Sequence, residues 1–319
     1  MKKAFFKEIE AAKSVTIFAH SKTDGDAVGS SLALFSYVKS LGKDVSVAID
    51  SEFPTNLMFL KEINEINKNV PKSGDLAIIV DSPTLDRLGR NKFKPKKYGK
   101  IIAIDHHVIV EKVGHINYVK PQASSTCEVI YDLFVDEGEP ISPEMAKFLL
   151  VGILTDTAGL RFSSTSPDTF RIVASLLETA NLKINDLINP LFSSLTHEMF
   201  LLKKLAYDKI EFYNDNKIAF LAISNENLLS TGVSFNDTKI VIEIGMGLKD
   251  VKLMALVTEG EPGVVYVSFR SKGEFDVNEI AGEFGGGGHK EASGCKIFDT
   301  FNNAKHKVLD VLLKYGQAK

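Results

Sequence analysis

The chain has 319 residues, 44% of them hydrophobic and 25% charged, with a formal net charge of -3. That is more apolar material than one open α/β domain needs, so two domains are expected, and so balanced a charge excludes a broad surface that coats nucleic acid. The only cysteines, Cys127 and Cys295, match no zinc-ligand spacing and argue against a disulfide framework. Neither a secretory leader nor a bilayer-spanning run stands out, which predicts a cytoplasmic protein with no membrane partner.

In chain order, β-rich apolar runs at 15–19, 45–49, 76–80 and 101–104 read as buried strands. Between them, residues 27–41 have helical periodicity and stop at Gly42, and Ser142-Pro143 opens a further helix with a cap and a first-turn proline. Such alternation predicts an α/β fold with a parallel sheet covered by helices. Residues 163–167, Ser-Ser-Thr-Ser-Pro, break the chain before a helical stretch at 168–180. From Lys217 onward, strands at 218–223, 251–257 and 264–269 precede a helix near Val277 and the run Gly285 to Gly288, a second and smaller α/β domain. The expected division is 1–185 for the N-terminal domain, 186–212 for a linker and 213–319 for the C-terminal domain.

Three of the first four strands are followed at once by metal-capable residues. His20, Asp24 and Asp26 follow the first, Asp81 the third, and Asp105-His106-His107 the fourth. Open α/β sheets place their sites at this carboxyl edge, and a core needs no polar cluster there. A lone strand-end aspartate is ordinarily a helix cap or turn former. The His106-His107 pair is harder to dismiss, because the composition gives roughly 0.13 adjacent histidine pairs by chance, and roughly 0.02 with an acid just before them. Imidazole with several carboxylates suits Mn²⁺ or a similar divalent ion, and the lack of nearby thiolates disfavours structural zinc. Asp24-Gly25-Asp26 can direct two carboxylates at two ions about 4 Å apart, with Asp81 between them. Asp156, in Leu154-Thr155-Asp156-Thr157, offers one more carboxylate at the end of an apolar helix.

These residues resemble the motifs of the DHH phosphoesterase superfamily. The stretch His20 to Ser30 is similar to its first motif, Asp81 to the second, Asp105-His106-His107 to the third and Asp156 to the fourth. Gly285 to His289, with Ala292-Ser293-Gly294, resembles the DHH-associated domain, so the likeness spans nearly the whole chain. Ser21-Lys22-Thr23 departs from the Asn and Pro often found there, but spares every proposed ligand. Together with Ser268-Phe269-Arg270-Ser271, the pattern most resembles the bacterial nanoRNase and pAp-phosphatase branch. The resemblance implies two divalent ions, most simply Mn²⁺: His20, Asp24 and Asp81 for one, Asp26, Asp81, His106 and Asp156 for the other. Asp105 would then orient a histidine, and His107 would face the substrate to stabilise phosphoryl oxygens or protonate the leaving oxygen. Water acidified by both ions would attack phosphorus in line.

In the second half, Gly286, Gly287 and Gly288 have no side chains to obstruct a phosphate, and their backbone N–H groups can surround one. Adjacent His289, with Ser268, Arg270 and Ser271 at the end of one strand, completes the expected substrate set; arginine grips phosphate with a planar fork. The expected substrates are short RNA of about two to five nucleotides, because so few phosphate contacts are on offer, together with pAp. Homodimerisation is left open. The alternatives are a cyclic- or linear-dinucleotide phosphodiesterase on the same scaffold, an inorganic pyrophosphatase and a nucleotide-binding regulator without activity.

Overall fold

The computed structural model describes residues 2–107, 112–193 and 195–317; Met1 and Lys319, the outer limits of the two expected domains, lie outside the described residues. The chain divides into two compact units, Met1–Ser194 and Leu195–Lys319. The division falls inside the 186–212 segment, which is itself largely helical.

In the first unit, β1 (Ser14–Phe18), β2 (Asp44–Ala48), β3 (Gly74–Val80), β4 (Tyr98–Asp105) and β5 (Ile116–Val119) form an all-parallel sheet in the order β2-β1-β3-β4-β5. Its helices are α1 (Lys2–Ala11), α2 (Gly25–Ser40), α3 (Thr126–Glu137), α4 (Pro143–Asp156), α5 (Pro167–Ala180) and the single turn α6 (Asn185–Ile188). Strand alternation sends Ile17, Ile78, Val80, Ile102 and Ile104 into a core shared with α1 to α5. Phe18, Ala48, Ala77, Ile79 and Ala103 face the other way, into a smaller core closed by Leu88 and Tyr98. The helices therefore cover one face only. The second face is covered by 3-10 turns at Leu85–Asn91 and Pro95–Lys97, where Gly89, with φ of 60°, and Pro95 interrupt any longer helix.

Two glycines let the elements that carry the acids approach closely. A Cβ on Gly25 would lie 2.2 Å from Thr155 Oγ1, and one on Gly152 would lie 2.2 Å from Cys127 Sγ and 2.7 Å from Asp26 Oδ1. The start of α2 thereby meets the end of α4. The start of α4 and the end of α2 follow their sequence signals, whereas α2 begins two residues ahead of the expected Ala27: Ser142 Oγ accepts from the Met145 N–H at 3.1 Å ahead of Pro143, and α2 stops before Gly42, whose φ is 71°.

The second unit contains α7 (His197–Lys209), β6 (Glu211–Tyr213), β7 (Ile218–Ile223), α8 (Asn225–Thr231), α9 (Ile242–Met246), β8 (Leu253–Glu259), β9 (Val264–Ser271), α10 (Val277–Gly282), β10 (Gly287–Gly288), β11 (Ala292–Phe298) and α11 (Phe301–Gln317). Its sheet runs β10-β11-β9-β8-β7-β6, with β7 and β8 parallel and the other pairs antiparallel. Phe220, Val267, Ile280 and Val308 fill the layer under α10 and α11, and Leu202, Leu221, Leu228 and Ile242 the layer under α7 to α9. Among the described residues, no helix is long and apolar enough to cross a membrane.

Candidate functional site

The carboxyl edge of the parallel sheet gathers the metal-capable side chains, because β1, β3 and β4 each end close to one of them. His20 lies shortly beyond β1, Asp81 directly follows β3, Asp105 closes β4, and His106 and His107 come next. Asp24 caps α2, its Oδ1 accepting from the Ala27 N–H at 3.0 Å, while its Oδ2 lies 3.5 Å from His20 Nε2. The ordinary cap and the site residue are thus one carboxylate. Asp81 is almost fully buried and takes left-handed backbone with φ of 53°, its N–H donating to the Ile104 carbonyl at 3.0 Å. That turn aims its two oxygens at different histidines: Oδ2 is 3.2 Å from His20 Nε2, and Oδ1 is 3.8 Å from His106 Nε2. His106 Nε2 is also 3.3 Å from Asp156 Oδ2. His20, Asp24 and Asp81, then Asp26, His106 and Asp156, and also Asp81, His106 and His107, form groups whose ligand atoms lie within 4.8 Å of one another.

The charge in this cluster needs an answer. Burial pushes the Asp26 carboxyl up to about 7, and the neighbouring Asp81 charge pushes the same way. Burial, then Asp26 and Asp81, holds Asp156 well above the carboxylate range. Burial opposes a charge on His20, yet Asp24 and Asp81 raise it to about 10. Among the described residues, no lysine or arginine forms an ion pair with Asp24, Asp26, Asp81 or Asp156; the ionic partners of Asp24, Asp81 and Asp156 are imidazoles, and Asp26 is held by backbone N–H groups. Carboxylates crowded in this way, interleaved with histidine nitrogens and not paired with lysine or arginine, are what divalent cations neutralise. The donor set therefore fits a metal.

Asp105 and His107 form a unit of their own. Asp105 Oδ1 accepts from both the backbone N–H and Nδ1 of His107, each at 2.8 Å, and these bonds hold the carboxyl below its ordinary range against the effect of burial. His107 is raised, burial opposing and Asp105 prevailing. Nε2 is left as the ring nitrogen that Asp105 does not use.

The residues that sequence reasoning missed lie at the start of α3. Thr126 Oγ1 donates to Asp81 Oδ1 at 3.1 Å, and the Thr126 and Cys127 N–H groups donate to the two oxygens of Asp26 at 2.6 and 3.0 Å. The signal was Ser124-Ser125-Thr126 ahead of an apolar run, an N-terminal helix signature with free backbone donors.

In the second unit, Ser268 and Arg270 share one face of β9, whose burial alternates along its length. Arg270 is half-buried, its Nη1 donates to the Phe269 carbonyl at 2.9 Å, and no carboxylate among the described residues forms an ion pair with it. Burial pulls its guanidinium below the ordinary range. Ser271, expected beside them, faces the opposite side, where its Oγ accepts from the N–H groups of Gly273 and Phe275 at 3.1 and 3.2 Å. The glycine run is not an open cradle. Gly287 and Gly288 pair with Gly294 and Ser293 as a hairpin. The N–H groups of Gly286, Gly288 and His289 donate within the unit, to the Ala281 carbonyl at 2.9 Å, Asn278 Oδ1 at 2.8 Å and the Ala292 carbonyl at 2.8 Å. Of the expected substrate-facing groups, Ser268 and Arg270 share a face, whereas these amides are committed to the fold.

The family described as DHH family, N-terminal domain, matches residues 14–153, and the DHHA1 domain matches residues 207–315. The chain belongs to the DHH family of phosphoesterases, with a DHHA1 domain as its second part. It is similar to a protein of Streptococcus mutans named probable bifunctional oligoribonuclease and PAP phosphatase NrnA, at 26% identity over 94% of this chain and 95% of that one. It is likewise similar to the bifunctional oligoribonuclease and PAP phosphatase NrnA of Thermus thermophilus, at 29% identity over 89% of this chain and 84% of its relative. Among solved structures, an exopolyphosphatase-related protein from Bacteroides fragilis superposes with a TM-score of 0.91 at 26% identity, covering 99% of this chain and 96% of that one.

Proposed function

We propose that the chain hydrolyses short oligoribonucleotides to mononucleotides and removes the 3′-phosphate of pAp. The observation that carries this reading is the placement of Asp81, whose two oxygens face the two histidines of two separate ligand groups. His20, Asp24 and Asp81 would hold one divalent ion, and Asp26, Asp81, His106 and Asp156 a second, with Mn²⁺ suited to such oxygen and imidazole donors. Bound cations supply positive charge for the phosphoryl oxygens and make water acidic enough to act as nucleophile.

The remaining work falls to the chain itself. Asp105 holds Nδ1 of His107, fixing the ring so that Nε2 can hydrogen-bond a phosphoryl oxygen or give a proton to the leaving oxygen. In the second unit, the Arg270 guanidinium, half-buried and in no ion pair among the described residues, is suited to a substrate phosphate, with Ser268 beside it on the same face and the hairpin of Gly286 to His289 two strands away in the sheet. Few phosphate contacts follow from such a set, which favours short chains.

The test is release of mononucleotides from labelled RNA of about three and about twenty nucleotides, and of phosphate from pAp, across salt concentrations with and without Mn²⁺. Metal-dependent turnover of the shorter RNA and of pAp, with a shallow salt dependence, is expected. Inertness toward both contradicts the reading, and a rate that climbs to the longer RNA contradicts the preference for short substrates.

A further inference from the structure

The turn Ala123 to Cys127 leads into α3 and touches three side chains of the candidate centre at once. The Ala123 carbonyl lies 3.2 Å from His106 Nδ1, which makes Nδ1 the protonated nitrogen and leaves the Nε2 lone pair toward Asp81 and Asp156. The Thr126 and Cys127 amides hold Asp26. The Thr126 hydroxyl alone reaches Asp81 from this turn, and the residue is fully buried.

We infer that Thr126 is a positioning residue whose hydroxyl fixes the rotation of the Asp81 carboxylate between His20 and His106. The inference rests on the metal-centre reading given above. Asp81 needs such a constraint: it stands just past the end of β3 in left-handed backbone, outside the strand register, and the charges of Asp26 and Asp156 repel it. A donor on Oδ1 holds one oxygen toward His106 and leaves Oδ2 facing His20. Partners that orient a ligating carboxylate in this way govern metal affinity although they never touch the ion.

The side chain can be tested apart from the helix. Thr126→Val keeps the shape and the backbone bond to Asp26 but removes the donor, and Thr126→Ser keeps the donor and removes the methyl. The start of α3 has independent anchors: Ser125 Oγ accepts from the Glu128 N–H at 3.1 Å, and Glu128 accepts from Ser124 Oγ at 2.6 Å and Thr169 Oγ1 at 2.9 Å.

The experiment is calorimetric titration of the full chain with Mn²⁺ in the absence of substrate, alongside thermal unfolding of the metal-free proteins. Thr126→Val should bind Mn²⁺ about tenfold more weakly than wild type, and Thr126→Ser within about twofold of it, with similar unfolding midpoints for all three. Wild-type affinity in Thr126→Val overturns the role, and so does equal weakening in Thr126→Ser, because that variant keeps the donor. If wild type itself binds no Mn²⁺, the metal reading fails. Metal-free crystal structures then decide the positioning role: an Asp81 carboxylate turned away from His20 in Thr126→Val supports it, and an unmoved one overturns it.

Discussion

Around Asp81, side chains from the ends of several strands and two helices turn their polar atoms toward one another, although nothing in the packing of the sheet requires it. Around Gly286 to Gly288, the unusual residues turn toward their own backbone. A Cβ on Gly286 would lie 2.4 Å from the Gly294 carbonyl oxygen, and one on Gly288 2.6 Å from that of Ala292. The first cluster costs the fold electrostatic repulsion that a divalent cation could neutralise; the second is sufficiently explained by the hairpin that contains it. Residue type alone does not separate the two cases. What separates them is whether the polar groups are already satisfied.

That comparison can be broken at three places. The largest effect is expected for Asp81→Ala, which removes a carboxylate serving both ligand groups. Turnover of a short RNA should fall by more than the about 100-fold that outer positioning residues reach, with the circular dichroism spectrum unchanged. Activity within tenfold of wild type would show that no shared carboxylate is needed. Next comes Arg270→Ala, which deletes a charge-assisted contact worth about 1.5–3 kcal/mol. Its kcat/KM should drop roughly 10- to 100-fold for a nucleotide substrate and change little for a small activated phosphodiester; equal losses on both would move Arg270 into the chemical step. The smallest effect on turnover is expected for Gly286→Ala. Overpacking against Gly294 and Cys295 should lower stability to denaturant by about 1–3 kcal/mol and leave Mn²⁺ affinity intact. An unchanged unfolding midpoint would mean that the hairpin has room, and would return the glycines to the substrate.

Much of the first unit was legible from the residues. Strands β1 to β4 are continuous apolar runs because both faces of a parallel sheet are buried, and α2 and α4 announce their ends with Gly42 and Ser142-Pro143. Strand β5, Ile-Asn-Tyr-Val, escaped notice: it is short, lies at the sheet edge, and only Tyr118 of its four residues is buried. Strand β11 escaped for a related reason, since its first half, Ala-Ser-Gly-Cys, is small and weakly apolar and Lys296 interrupts the rest. The ligand cluster was legible because strand ends and acids coincide. Thr126 was not, because the local Ser124-Ser125-Thr126 pattern announces only a helix start, while its hydroxyl reaches Asp81 across 45 positions of sequence. Ser271 was misplaced by sharing a short motif with Arg270, when strand alternation sends neighbouring residues to opposite faces.

The left-handed backbone at Asp81 has a consequence for how this chain can change. Such a conformation costs a residue with a Cβ about 1 kcal/mol, a cost that glycine does not bear. An exchange of Asp81 for glycine would relieve that strain, but it would also leave the buried Thr126 hydroxyl and His20 without the carboxylate they face, a loss of about 1–3 kcal/mol for the orphaned donor alone. The aspartate is therefore held in its strained backbone by the partners it satisfies, and a descendant that lost it would have to replace those partners as well.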